Sequence, residues 1–167
     1  DTVDLTNLQR QIMHTEARIG SLKAASAQAA IAAINPDVKV HQVTQRADTA
    51  LLHQLAEGAD VAIDCSDNFA ARQALNLACV RTGTPLVSGS AIGFDGQLSV
   101  FDPGNAASPC YACLFPPSQA VPEVRCATMG VFAPLVGIVG TLQACEALKL
   151  LSGMGSAMTG RLLMVDA

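Results

Sequence analysis

Apolar and polar positions change period repeatedly along this chain, and the changes mark out alternating helices and strands. Ser21 to Ile34 is an alanine-rich helical pattern, with Ser21 as its expected N-cap and Asn35-Pro36 as its stop. Val38 to Thr44 alternates with period two and predicts a strand, and Asp48 to Ala56 predicts a short helix. Asp60 to Cys65 is a short apolar strand. Asn68 to Thr82 is helical and closes at the turn Gly83-Thr84-Pro85. Pro85 to Ser90 and Gly96 to Phe101 predict two more strands, with Asp95-Gly96 as the turn signal between them. Residues 102 to 127 are rich in loop formers. A long helix from about Val131 to Leu151 follows, and Arg161 to Ala167 alternates as a last strand.

Strand-helix alternation with short turns predicts an α/β fold. The expected architecture is a Rossmann-like, mostly parallel sheet with helices on both faces, and the strands after residue 95 antiparallel to the rest. At 167 residues the chain is one domain's worth and long enough to bury a core. It opens at Asp1 without Met, in what reads as the end of a strand, and stops in a strand without a cap. The expectation is a piece of a longer protein.

From Gly130 to Leu142 the chain is almost wholly apolar, but Gln143, Glu146 and Lys149 follow within two turns, and the apolar run is too short to cross a bilayer. Gly130, Ala133, Gly137, Gly140 and Ala144 recur every three or four residues. Such a stripe of small side chains lets another backbone come close, which predicts a buried or interface helix and a homodimer built partly on residues 130 to 150.

Composition narrows the function classes. Half of the residues are hydrophobic and Trp is absent, the profile of a closely packed α/β domain. A formal charge of −4 without a basic stripe argues against nucleic-acid binding. Six cysteines at scattered spacings fit a reducing, cytoplasmic setting better than a disulfide scaffold.

In an open α/β sheet, ligands bind beyond the carboxyl ends of the strands, and two polar clusters are expected there. The first is Thr6-Asn7-Leu8-Gln9-Arg10-Gln11, a polar turn running toward a helix. Asn7 and Arg10, three apart, share a face of a helical turn, where a guanidinium can fork onto phosphate oxygens beside an amide donor. The alternative is a capped surface helix with Thr6 or Asn7 as N-cap. The second cluster is Ser66-Asp67-Asn68, after the strand that ends at Asp64. Asp67 is there either a helix cap or a carboxylate facing the ligand crevice. Lys23 falls in the first turn of a helix, where a cation opposes the helix dipole unless an anion lies beside it.

Cys110 and Cys113 form a C-x-x-C, a spacing that fits two ligands of a tetrahedral zinc, a redox pair or chance. Cys126 follows Arg125, where a cation can lower a thiol pKa; it is either a reactive thiol or an ordinary loop cysteine. Cys65, Cys79 and Cys145 read as packing residues, and His14, His41 and His53 suggest no role.

Asn7-Leu8-Gln9-Arg10-Gln11, Lys23, Asp64-Cys65-Ser66-Asp67-Asn68, Cys110-Tyr111-Ala112-Cys113-Leu114-Phe115-Pro116 and Gly137-Ile138-Val139-Gly140-Thr141-Leu142-Gln143-Ala144 follow one another in this order. In that order and spacing the chain resembles the MoeB/ThiF/HesA family, the bacterial relatives of ubiquitin-activating enzymes, from Asp1 to Ala167. The resemblance implies a partial ThiF-type adenylating domain. Members use Mg-ATP to adenylate the C-terminal glycine carboxylate of a small ubiquitin-like sulfur carrier, ThiS-like or MoaD-like, for thiamine or molybdopterin biosynthesis.

The resemblance further implies a binding turn from Thr6 to Gln9, with Asn7, Arg10 and Lys23 on the ATP phosphates and Gln11 in support. Asp67 becomes the essential acid near magnesium and the α-phosphate, with Asn68 in the same turn. Cys110 and Cys113 become half of a structural zinc site whose second pair would follow Ala167. Cys126 corresponds to the cysteine that the thiamine branch links covalently to its carrier. The family's glycine-rich turn, its ribose-holding acid and its N-terminal arginine would precede Asp1, so these residues alone are expected to bind ATP poorly.

Two other classes compete. A non-catalytic partner subunit that docks a ubiquitin-like protein would be expected to lose the arginine, lysine or acid, and Arg10, Lys23 and Asp67 are all present. A nicotinamide-dependent oxidoreductase would want a glycine fingerprint that the visible chain lacks.

Overall fold

A computed structural model describes residues 1–118 and 130–167 and divides the chain into two units, Asp1–Arg46 and Ala47–Ala167. In the first unit the opening residues run alongside residues 20–23. Val3 N–H donates to Ser21 O, Gly20 N–H to Val3 O and Lys23 N–H to Asp1 O. This pairing keeps Leu22 extended, so helix α1 starts at Lys23 and runs to Ile34. Ser21 is therefore not the cap: its backbone is engaged by Val3, and the N-cap position falls on Leu22, which has no capping side chain. Asn35, extended before Pro36, ends the helix as expected.

The alternating segment Val38 to Thr44 forms no strand. A strand needs a neighbour to take its backbone groups, and none of the strand pairings includes these residues. The side chains of α1 hold the segment instead, with Gln28 Nε2 on Val40 O at 2.9 Å and Gln42 bonded to Gln28 Oε1.

The second unit begins with α2 (Thr49–Glu57), capped by the Asp48 carboxylate on Leu51 N–H. Strand β1 (Ala62–Asp64) leads into α3 (Phe69–Thr82); β2 (Leu86–Ile92) and β3 (Asp95–Phe101) follow. A short α4 (Tyr111–Leu114), the long α5 (Ala133–Ser152) and β4 (Leu162–Asp166) complete the described elements. The sheet order is β1-β2-β3-β4, opening with the parallel pair β1–β2 and continuing with two antiparallel pairs. The antiparallel character after residue 95 is as expected.

The β2–β3 turn is not at Asp95-Gly96. Ile92 pairs with Asp95, so the two-residue turn is Gly93-Phe94. Gly93 has φ +55°, which a type II′ turn asks of its first central residue. The Asp-Gly signal lost to the glycine two residues earlier.

Neighbouring residues of β2 point to opposite faces, and each face carries a core. On one, Leu86 packs with Phe101, Cys79 of α3 and Tyr111 of α4. On the other, Val87 packs with Leu98, Val100 and Ala147 of α5. Helices thus cover both faces of the sheet. Helix α5 buries Leu135, Val139, Gln143, Glu146 and Ala147, a stripe at helical spacing. It is longer than the apolar run read from the sequence and is long and apolar enough to cross a membrane by length and composition. Its inner side, however, carries a glutamine and a glutamate bonded into this domain.

Candidate functional site

The polar cluster of the first unit is a 3-10 turn, Leu5–Asn7, rather than the start of an α-helix. Its cap is Asp4, not Thr6 or Asn7. The Asp4 carboxylate accepts from Thr6 N–H at 2.8 Å and Thr6 Oγ1 at 2.6 Å, while Asn7 Oδ1 accepts from Asp4 N–H at 3.2 Å. The hydrogen bonds from the Thr6 side chain and backbone, and more weakly the charge of Lys23, hold the Asp4 carboxyl below its usual range. This reciprocal box fixes Asn7 through its oxygen and leaves its Nδ2 donor without a partner among the described residues.

Arg10 folds back so that Nη1 donates to Thr6 O at 3.1 Å. The guanidinium has five donors, and the others have no partner among the described residues. Leu8 and Gln11 are half-buried, and Gln9 is exposed. Below this turn, His14 Nδ1 meets Ser26 Oγ at 2.8 Å, and Arg18 donates to Ser26 O at 2.9 Å, so the loop after Arg10 is fastened to α1.

Lys23 occupies the first position of α1. Its ion pair with Asp1 is long, at 3.6 Å, and the Asp1 carboxylate is 84 % exposed. Such a surface pair contributes little and leaves the ammonium available to a stronger anion.

In the second unit β1 ends at Asp64, and the turn Cys65–Asn68 carries the chain into α3. Asn68 is the cap of α3: its Oδ1 accepts from Ala71 N–H at 2.8 Å. Asp67 is therefore not the cap. Its carboxylate is exposed and has no hydrogen bond or ion pair among the described residues.

The residues around it are tightly held. Asp64, only 2 % exposed, accepts from Ser66 N–H (2.9 Å) and Ser66 Oγ (2.6 Å) on Oδ1, and from Ser88 Oγ (3.3 Å) on Oδ2. Arg72 from α3 lies 3.6 Å from Asp64 Oδ2 and donates to Gly89 O (3.0 Å) and to Ser66 O. Behind them, buried Gln143 from α5 donates to Asp64 O at 2.7 Å and accepts from Cys65 Sγ. No buried side-chain nitrogen or oxygen among the described residues lacks a partner. Reading the sequence assigned Asp64, Arg72 and Gln143 no role; a lone glutamine on the buried side of an apolar helix was the one visible signal.

Cys110 and Cys113 come together at the start of α4, with 3.5 Å between sulfurs. Two thiolates at about 2.3 Å on a tetrahedral ion stand about 3.7 Å apart, so the pair fits half of a zinc site. Burial pushes the Cys110 thiol up, but hydrogen bonds from Cys113, from the Asn76 amide and from Ala112 outweigh it and hold the thiol below its usual range. Asn76, another residue the sequence reading missed, takes Tyr111 N–H on Oδ1 at 2.9 Å and approaches Cys110 Sγ with Nδ2 at 3.8 Å. No group of three or more metal-binding side chains exists among the described residues. The five cysteines described are free thiols; Cys126 lies outside the described residues.

The stripe Gly137, Gly140, Ala144 is on the exposed side of α5. A Cβ at Gly137 or Gly140 would meet nothing within 4 Å, so packing within this chain does not require glycine at either position. Pro134, Gly137, Ile138, Thr141 and Leu142 line an open apolar groove there.

Comparison with known proteins identifies the family and the fold. The model of the ThiF family matches residues 1–167. The SAMP-activating enzyme E1 of Haloferax volcanii is 45 % identical over 170 residues, covering 100 % of this chain and 61 % of that protein. The molybdopterin-synthase adenylyltransferase of Escherichia coli is 43 % identical over 169 residues, covering 100 % and 66 %. The sulfur carrier protein ThiS adenylyltransferase of the same organism is 45 % identical over 166 residues, covering 99 % and 65 %. The chain thus spans less than two thirds of the length of these relatives. The crystal structure of Escherichia coli MccB with ATP shares the fold, with a TM-score of 0.82 over 100 % of this chain and 51 % of that one, at 21 % identity.

Proposed function

The chain belongs to the ThiF family, and from that premise we propose that the full-length protein is an ATP-dependent adenylyltransferase of the ubiquitin-activating type. Its substrate is the C-terminal glycine carboxylate of a small ubiquitin-like sulfur carrier, and residues 1–167 are the larger part of its adenylating domain. The observation that carries this reading is the Asp67 carboxylate, which is exposed beyond the carboxyl end of β1 and uncommitted among the described residues, while its neighbour Asn68 caps α3. An acid in that position is poised for a ligand rather than for the helix.

The chemistry asks for such residues. Attack of a carboxylate on the α-phosphate brings anions together, and positive charge and hydrogen-bond donors must offset the repulsion. The free donors of Asn7 and Arg10 and the weakly paired Lys23 would bind the phosphates, with the rest of Thr6 to Gln11 shaping that turn. Asp67 would hold magnesium, a hard cation that takes carboxylate oxygen and neutralises phosphate charge; Asn68 fixes the turn. Cys110 and Cys113 would supply two thiolates of a structural zinc. Cys126 is proposed as the acceptor that joins covalently to the carrier.

The retention of Arg10, Lys23 and Asp67 favours catalysis over a non-catalytic docking subunit. Relatives named for molybdopterin synthase and for ThiS are 43 % and 45 % identical, too even to choose between a MoaD-like and a ThiS-like carrier. Free thiols and the acidic balance support a cytoplasmic setting. The exposed apolar groove and open glycines of α5 support a homodimer built on that helix.

Exchange of labelled pyrophosphate into ATP by the full-length protein tests the activity. Asp67→Asn should abolish exchange with an unchanged unfolding midpoint. Asn68→Ala should instead lower stability by about 1 kcal/mol, the usual loss of an N-cap. Wild-type exchange in the Asp67→Asn protein would refute the assignment.

A further inference from the structure

We propose that Arg72 is a positioning residue for Asp67, bracing the turn that presents its carboxylate. The inference rests on the catalytic reading of Asp67 given above. Arg72 sits one turn into α3, is itself almost buried, and reaches three segments at once: Asp64 at the end of β1, the Ser66 carbonyl within the turn, and the Gly89 carbonyl of β2. A planar guanidinium spreads five donors in fixed directions over three acceptors, whereas an ammonium's three donors rotate about one atom and an amide has only two.

The partners of Arg72 are themselves fixed. Asp64 takes both Ser66 N–H and Ser66 Oγ on one oxygen, so the residue before Asp67 is held at its amide, its hydroxyl and its carbonyl. Asn68 on the other side is fixed by its cap. Among the described residues Asp67 is thus the side chain left unfastened in a turn held on both sides. A metal-holding carboxylate gains from that arrangement, because a ligand moved by a fraction of an ångström loses its place in the coordination shell.

Neutralising buried Asp64 is a second, merely structural role for Arg72, and the test separates the two. In the full-length protein, Arg72→Gln alone leaves Asp64 buried and unpaired and is expected to unfold readily. The informative variants are Arg72→Lys, which keeps the charge, and the double change Asp64→Asn with Arg72→Gln, which removes both charges. Both should fold, with unfolding midpoints near that of the wild type.

In the double variant, kcat for pyrophosphate exchange should fall about tenfold or more while KM for ATP changes little, since Arg10 and Lys23 are untouched. The magnesium concentration giving half-maximal rate should rise. Arg72→Lys should recover stability but only part of the rate. Amide hydrogen exchange at Ser66 and Asp67 should be faster in the double variant. A folded double variant with wild-type kcat and magnesium dependence would overturn the proposal. If the wild-type protein itself shows no exchange, the adenylation reading fails, and the brace is judged by amide exchange alone: unchanged protection at Ser66 and Asp67 in the double variant overturns it.

Discussion

Substitution of Gly89 by alanine should destabilise the fold well beyond the ordinary cost of one added methyl. A Cβ built on Gly89 stands 2.3 Å from Cδ, 2.5 Å from Oε1 and 2.7 Å from Nε2 of Gln143. These are contacts with the carboxamide itself, and that group is not free to swing away. It is 4 % exposed, and its Nε2 donates to Asp64 O at 2.7 Å and Val87 O at 3.4 Å while Oε1 receives Cys65 Sγ.

Admitting the methyl therefore means displacing Gln143. Overpacking of this kind costs about 1–3 kcal/mol, and a buried carbonyl or amide left without its partner adds about 1–3 kcal/mol. The stiffer unfolded chain of the alanine variant returns only about 0.4–1 kcal/mol. The expected net loss is roughly 1–5.5 kcal/mol, read as a shift of the urea midpoint at constant slope. Because the clash is with one side chain, Gln143→Ala should relieve it: the double variant should be more stable than the sum of the single losses by about 1–3 kcal/mol. Pyrophosphate exchange should fall in Gly89→Ala as well, since Gln143 holds the residue that ends β1. A Gly89→Ala protein within about 0.5 kcal/mol of wild type, or strict additivity in the cycle, would refute the reasoning.

Three further outcomes are expected. Gly137→Leu adds bulk where the chain has open space, so the protomer should keep its unfolding midpoint while sedimentation shifts from dimer toward monomer at micromolar concentration; a dimer unaffected by leucine there removes α5 from the interface. Burial, then the charges of Lys23 and Arg18, hold His14 below its ordinary pKa near 6.5, so the unfolded chain binds that proton more tightly. Stability from this site is full above the ordinary value and is lost as pH falls below it, and His14→Gln should flatten urea midpoints compared at pH of about 7.5 and 5.5; an equally steep wild type and variant would clear His14. If Cys126 is the covalent acceptor, its thiolate should displace AMP from the carrier's acyl adenylate, so ATP and carrier give a thioester that excess thiol or hydroxylamine removes and that Cys126→Ser loses while exchange persists; sulfur transfer without any adduct would make it a bystander.

Periodicity located most of the described elements because local pattern and tertiary environment agree there. The apolar spacing of α5 and the alternation of β4 reflect the faces they bury, while β2 and β3 read as short apolar runs because both of their faces are covered. Errors fall where a distant segment decides. Ser21 loses its cap because Val3 claims its carbonyl. Val38 to Thr44 has the alternation of a strand but no partner strand among the described residues. The nucleotide-site candidates were legible as residue types in order. Their bracing was not, because Asp64, Arg72, Gly89 and Gln143 meet across 8 to 79 residues of sequence.

Two buried acids in the second unit show why bracing matters more than charge. Glu146, 4 % exposed, pairs with Lys149 and accepts Met158 N–H at 2.8 Å, and Lys149 also donates to Ser156 O at 3.0 Å. That cluster fastens the segment between α5 and β4 to the helix, and each of its groups closes on the protein itself. Asp64 and Arg72 are also a carboxylate–cation pair, yet their bonds converge on a turn whose Asp67 carboxylate is left open among the described residues. A buried pair repays its desolvation poorly as a source of stability alone. What a rigid, directional pair can supply is a fixed geometry for the group beside it. The difference between these clusters lies in Asp67, the acid beside the turn that Asp64 and Arg72 fasten without engaging its carboxylate.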